Sequence, residues 1–186
     1  MSGAENKNIS LLREQVNSAH RLLEGTMNGV TTEQVHWSPP GTAMPLGAHY
    51  AHVVISEDGA INGMIKRAPP LCASTWAGKV GVSEFPPMPN PEKPGFPDWN
   101  DWSRKVEVDL GKLQEYAQAV YAATDECLAS MTDGDLDGPV DLSALGIGEH
   151  PVSYLLINGV IGNAYSHCGE ISCLKGLQGS RGYPGG

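Results

Sequence analysis

The chain has little positive charge and no long apolar run. Lys and Arg together number 12 against 21 Asp and Glu, for a formal net charge of −9. No basic cluster stands against that average, so a surface that tracks nucleic-acid phosphates is not expected. No stretch approaches the roughly 18 uninterrupted apolar residues of a membrane span, and Met1 to Ser10 lacks the apolar centre of a secretory signal. The expectation is a soluble cytoplasmic protein with neither nucleic acid nor membrane as partner. Cysteine is also sparse. Cys72, Cys127, Cys168 and Cys173 form no CxxC pair or zinc-ribbon spacing and read as free thiols. Cys168 follows His167 directly, but helix neighbours point about 100° apart, beyond the reach of a nucleophile and its base.

Glycine and proline, by contrast, are plentiful. With 23 Gly and 14 Pro in 186 residues, much of the chain between ordered elements should be irregular. The length suits one domain, residues 1–186, with a continuous core. Apolar periodicity predicts four helices. The first, about 8–27, carries Ile9, Leu12, Val16, Ala19, Leu23 and Thr26 at alternating spacings of three and four, with Gly25 and Gly29 near its end. The second, about 45–67, follows the turn Ser38-Pro39-Pro40, and Pro45 suits a first helical position.

Prolines between Ala68 and Pro97 exclude a regular helix or a central strand there. The third helix, about 98–131, places Trp99, Trp102, Val106, Leu110, Leu113, Ala117, Val120, Cys127 and Met131 on one face behind Asp98 as a cap. Residues 132–149 are acidic and Gly-rich. Asp133, Asp135, Asp137 and Gly138 imitate the start of a calcium-binding loop, but Ala144 stands where a bidentate Glu should be, so a solvated, turn-rich loop is expected. The fourth helix spans about 151–177. Without a strand pattern, these segments predict an all-α four-helix bundle. The roughly 30-residue link between the second and third helices is long enough to cross the bundle and let them run parallel.

The fourth helix holds the main anomaly. Leu156, Val160, Asn163, His167, Glu170, Leu174 and Leu177 alternate spacings of four and three, so they form one stripe in which three polar groups interrupt an apolar face. An unpartnered buried polar group costs about 1–3 kcal/mol, so these groups should have partners. On the second helix His49 and His52 are neighbours at a spacing of three, and Glu57 lies further round. Imidazoles from facing helices can converge on a metal, and can equally serve as hydrogen-bonded core residues. His20, His36 and His150 read as solvent-facing.

Two segments carry a resemblance. Pro45-Leu-Gly-Ala-His-Tyr-Ala-His-Val-Val-Ile-Ser-Glu-Asp58, after Trp37-Ser-Pro-Pro40, resembles the second-helix signature of the DinB-like superfamily. Asn163-Ala-Tyr-Ser-His-Cys-Gly-Glu-Ile171, running into Lys175-Gly-Leu-Gln-Gly179, resembles its fourth-helix signature. The resemblance implies an up-down-down-up bundle, often dimeric, with a divalent metal such as zinc or nickel held by three histidines. One histidine comes from the second helix and two, at H-x-x-x-H spacing, from the fourth. His52 takes the first role and His167 the last, while the middle role falls on Asn163, a departure from the pattern. An amide oxygen is a poorer ligand for these metals than imidazole.

His49 or Glu170 could supply the missing ligand, or could serve as catalytic proton carriers. Glu57 could act as a further ligand or orient an imidazole. The activity implied is a thiol-dependent transferase or metal-dependent hydrolase acting on a small molecule, with a low-molecular-weight thiol as possible cofactor. The alternatives are a metal-free binding or stress-associated accessory protein whose site has lapsed, and an internal hydrogen-bond network with a purely structural role.

Overall fold

The computed structural model describes residues 6–184 and is mostly helical. Helix α1 spans Lys7–Met27 and a short α2 spans Thr32–His36. Helix α3, Leu46–Asp58, continues through a wider π-helical segment, Gly59–Ile65. A single turn, α4 (Asn100–Ser103), precedes the long α5 (Leu110–Ser130). The last helical run begins with α6 (Val152–Tyr154), widens into a π segment at Leu155–Gly162, and ends as α7 (Asn163–Leu177). Helices α1 and α3 each pack against both α5 and α7. Among the described residues no helix is long and apolar enough to cross a membrane.

Two apolar clusters fill the interior. One joins Leu23, Leu46, Tyr50, Val54, Leu113, Val120, Ile171 and Leu174, and the other joins Ile9, Val16, Ile61, Leu128, Leu156 and Val160 at the opposite end. Each fully buried Leu or Ile contributes about 1.5–3 kcal/mol over an exposed one. Helix α7 is also fastened to α1 by a cation: Lys175 Nζ donates to the carbonyls of Thr26 (2.6 Å) and Asn28 (3.2 Å), where the helix end leaves acceptors unfilled.

The third helix begins later than its periodicity predicts. Residues 98–109 carry helically spaced apolar groups, but their polar atoms are committed to the Pro-rich connection. The indole N–H groups of Trp99 and Trp102 donate to the carbonyls of Pro87 (3.2 Å) and Glu84 (3.0 Å). Val82 and Val108 form an antiparallel bridge, and Asp109 N–H donates to Gly81 O at 2.8 Å. Only then does Asp109 cap α5 by accepting from Lys112 N–H. Gly81 makes that approach possible, since its φ is +88° and a Cβ there would lie 2.6 Å from Leu113 N.

The acidic segment departs from a plain solvated loop. Pro139–Asp141 (β1) and Glu149–Pro151 (β2) form an antiparallel ribbon with Val140 opposite His150. Val140 and Leu142 are buried, which anchors the ribbon on the second cluster. Two of the aspartates cap helical turns. Asp133 accepts from the backbone N–H groups of Asn8 (3.1 Å) and Ile9 (2.9 Å) at the start of α1, and Asp135 completes a capping box with Thr132. Carboxylates at a helix start also complement its dipole, so these positions have a role without calcium.

The histidine expected on the outside of the first helix is inside. His20 is buried, stacked on Tyr121 with ring centroids 3.8 Å apart, and its Nε2 lies 2.9 Å from Glu57 Oε1. Thr124 donates to the same carboxylate at 2.6 Å. Glu57 thus orients an imidazole, but that of His20 rather than one at the α3–α7 face. His36 is exposed as expected, although its Nε2 accepts from Val108 N–H at 3.0 Å. His150 is half-buried against Tyr154. Asp58, fully buried, accepts from Asn62 Nδ2, Tyr116 Oη and the backbone N–H groups of Leu71 and Cys72, pinning the start of the long connection to α3 and α5.

Candidate metal centre

The polar row on the last helix is offset from the buried stripe rather than interrupting it. A π segment holds an extra residue per turn, so the face that carries Leu156 and Val160 continues through Ala164, Cys168 and Ile171, each one position later than regular spacing predicts. Asn163 and His167 are consequently half-buried at the edge of that face, Glu170 is exposed, and Leu177 is 65% exposed. Cys168 sits wholly in the core, where burial pushes its thiol up to about 11 and away from the reactive thiolate form.

Helix α3 supplies the facing groups. His49 and His52 are both buried on the side that meets α7. His49 Nδ1 lies 2.9 Å from His167 Nδ1 and 3.1 Å from Glu170 Oε2, and His167 Nδ1 is itself in close contact with Glu170 Oε2. Three potential donor atoms from two helices therefore meet at one point, all within 4.8 Å of one another. The backbone of Met44 also favours the charged form of His49.

His52 and Asn163 stand beside this cluster and engage each other. The His52 ring hydrogen-bonds the Asn163 side chain, its Nδ1 lies 3.3 Å from Ser56 Oγ, and it packs edge-on to His167 with centroids 4.9 Å apart. Trp99 also packs against it, with ring centroids 4.2 Å apart. That role of Trp99 was hidden in the sequence, where its spacing suggested only a core position on a longer helix.

Both buried imidazoles favour their neutral forms. Burial above all, then the charges of His167 and His52, lowers His49 to about 3, with the Met44 contact opposing. His52 falls to about 4 through burial and then His167, with Asn163 opposing. A neutral imidazole is the form that binds metal. Two imidazole nitrogens and one carboxylate oxygen form a donor set used by catalytic zinc, which keeps a fourth position open. Tetrahedral ligands about 2.0–2.1 Å from zinc would lie about 3.3 Å apart; the two separations that involve His49, 2.9 and 3.1 Å, lie a few tenths of an ångström below that, and His167 and Glu170 would move apart to admit an ion. The residues fit a divalent metal.

A cavity of about 480 Å³ opens directly beside the cluster, with His49 and Glu170 in its lining. Trp99, Met44, Leu174 and Leu177 contribute apolar walls.

The sequence of this chain matches the model of the DinB superfamily over residues 15–171. The chain belongs to the DinB superfamily. A crystal structure of a conserved protein from Enterococcus faecalis has the same DinB fold, with a TM-score of 0.74 at 20% sequence identity, over 90% of this chain and 95% of that one. No curated protein matches. Within this DinB chain the two signature segments are the ones that face each other across α3 and α7.

Proposed function

We propose that this DinB-family protein is a metal-dependent enzyme whose divalent ion, zinc or nickel, is held by His49 Nδ1, His167 Nδ1 and Glu170 Oε2. The convergence of these three atoms next to an open cavity carries the reading. Relative to the trio His52, Asn163 and His167, this assignment keeps His167 and moves the centre one helical turn toward the cavity. Asn163 then acts as the hydrogen-bond partner of His52.

The activity proposed is transfer to or from a low-molecular-weight thiol, or hydrolysis, of a small-molecule substrate. A bound divalent ion would supply Lewis acidity and lower the pKa of a thiol or water at its open position. Glu170, half of whose side chain is exposed, can offer its second carboxylate oxygen to an incoming proton. His52 packs beside the cluster against His167, and Trp99, in contact with His52, forms part of the cavity wall.

The same reading takes residues 1–186 as one domain, an up-down-down-up bundle of α1, α3, α5 and the α6–α7 run with the long link crossing between α3 and α5. The paired contacts of α1 and α3 with both α5 and α7 support it. It also takes the protein as a cytoplasmic homodimer.

Elemental analysis of untagged protein, followed by zinc and nickel titration with chelator competition, tests the centre. The expected result is one divalent ion per chain and uptake of one equivalent after stripping. Absence of both would leave a metal-free binding or accessory role.

A further inference from the structure

Resting on the proposed centre, the cavity beside it defines a substrate class. We infer that it takes a small molecule whose body, seated against Trp99, is flat or branched, apolar and without negative charge. The apolar walls are Met44, Pro97, Trp99, Leu174 and Leu177. The volume, about 480 Å³, lies within the range of small-ligand pockets, which are mostly apolar with a few placed polar groups.

The charge of the lining is one-sided. Asp98 and Glu170 are its charged groups, and no Lys or Arg among the described residues lines it. Asp98 is held in place because its Oδ1 accepts from the backbone N–H and the side-chain amide of Asn100. Away from the ion, an anionic group would lose hydration, meet Asp98 and find no cationic side chain, in a protein of net charge −9. An uncharged or cationic body meets no such penalty, and an aromatic face favours cations. Trp99 is preset for this role, since its indole N–H is tied to Pro87 O and one side of the ring packs on His52. Substrates built around several carboxylates or phosphates are therefore selected against, and the acceptor of any thiol chemistry would carry no anionic group on the part that lies against Trp99 and Asp98.

The test uses the full chain, both stripped of metal and loaded with zinc, and three probes of one shape: benzyl alcohol, benzylamine and benzoate. The readout is the indole N–H resonance of Trp99, assigned as the signal lost in Trp99→Phe among the four tryptophans. In the stripped protein, benzyl alcohol and benzylamine should shift it saturably, with benzoate at least ~10-fold weaker. Leu177→Asp, at an exposed position, should weaken benzyl alcohol several-fold, and Asp98→Asn should strengthen benzoate. Benzoate binding as tightly as benzyl alcohol, or no saturable shift with any probe, overturns the inference. Because the stripped protein carries the comparison, failure to bind zinc would count against the metal centre and leave the probe series to judge the cavity.

Discussion

His49 and His167 meet across the α3–α7 interface with their Nδ1 atoms 2.9 Å apart, in a pocket edge where Glu170 can reach both. Two lone pairs at that distance repel unless a proton or a cation lies between them. A carboxylate beside the pair favours either occupant, and the open cavity gives a metal ion a way in.

Ligand substitutions should therefore separate the centre from its surroundings. Glu170→Gln and His49→Ala are expected to lower zinc affinity by more than the roughly 10–100-fold typical of changing a residue that merely orients a ligand. Asn163→Ala, which removes a partner of His52, should stay within that smaller range. Chelator-competition titrations check the order. If Asn163→Ala abolished binding while Glu170→Gln did nothing, the centre would lie at His52, Asn163 and His167 instead.

Much of the helical content is legible in the sequence, because α1 follows a 3.6-residue period and Pro45 and Gly179 mark the start of α3 and the end of the last helical run to within a few residues. The break before α5 is not, since Trp99, Trp102 and Val106 have helical spacing and only long-range partners, Pro87, Glu84 and Gly81, reveal the other conformation. The candidate centre is legible in its residues and not in its geometry. A regular helix makes Asn163, His167 and Glu170 a broken core stripe. The π segment at Leu155–Gly162 turns the core face onto Ala164 and Cys168, and leaves the polar row at the cavity. Nothing local in the sequence announces that extra residue. Burial of His20 likewise depends on Glu57, 37 positions away.

Stability of the metal-free protein should depend on pH through His49 and His52. Their folded pKa values, about 3 and about 4, lie below the ordinary 6.5. Between those limits the unfolded chain binds protons that the native state refuses, so stability rises with pH and levels off above about 6.5. Each histidine contributes about 1.5 kcal/mol of lost stability on acidification from pH 6.5 to about pH 5. Urea titrations across that interval check this, and His52→Phe should remove about half of the slope due to the pair. A profile that is level from pH 5 to pH 7, with His52→Phe indistinguishable from it, contradicts neutral burial of these rings.

The Asp58 carboxylate should control the long connection independently of the metal. It accepts four hydrogen bonds, two of them from the backbone N–H groups of Leu71 and Cys72 at 2.9 Å, while Tyr116 donates at 2.6 Å. Asp58→Ala orphans all four donors in the interior, at about 1–3 kcal/mol for each one that water cannot reach. Relaxation will rehydrate the loop donors first, because Leu71 and Cys72 are half-buried whereas Tyr116 and Asn62 are not exposed. A net loss of about 3–5 kcal/mol is expected in denaturant titrations, similar to removing one partner of a buried charged pair. Amide exchange at Leu71 and Cys72 should accelerate beyond what that global loss accounts for, since the connection opens locally before the helices separate. Exchange at Leu113 and Val120, on α5, should follow the global change alone. Equal acceleration at all four amides would mean that Asp58 supports the core in general and does not fasten the connection to α3.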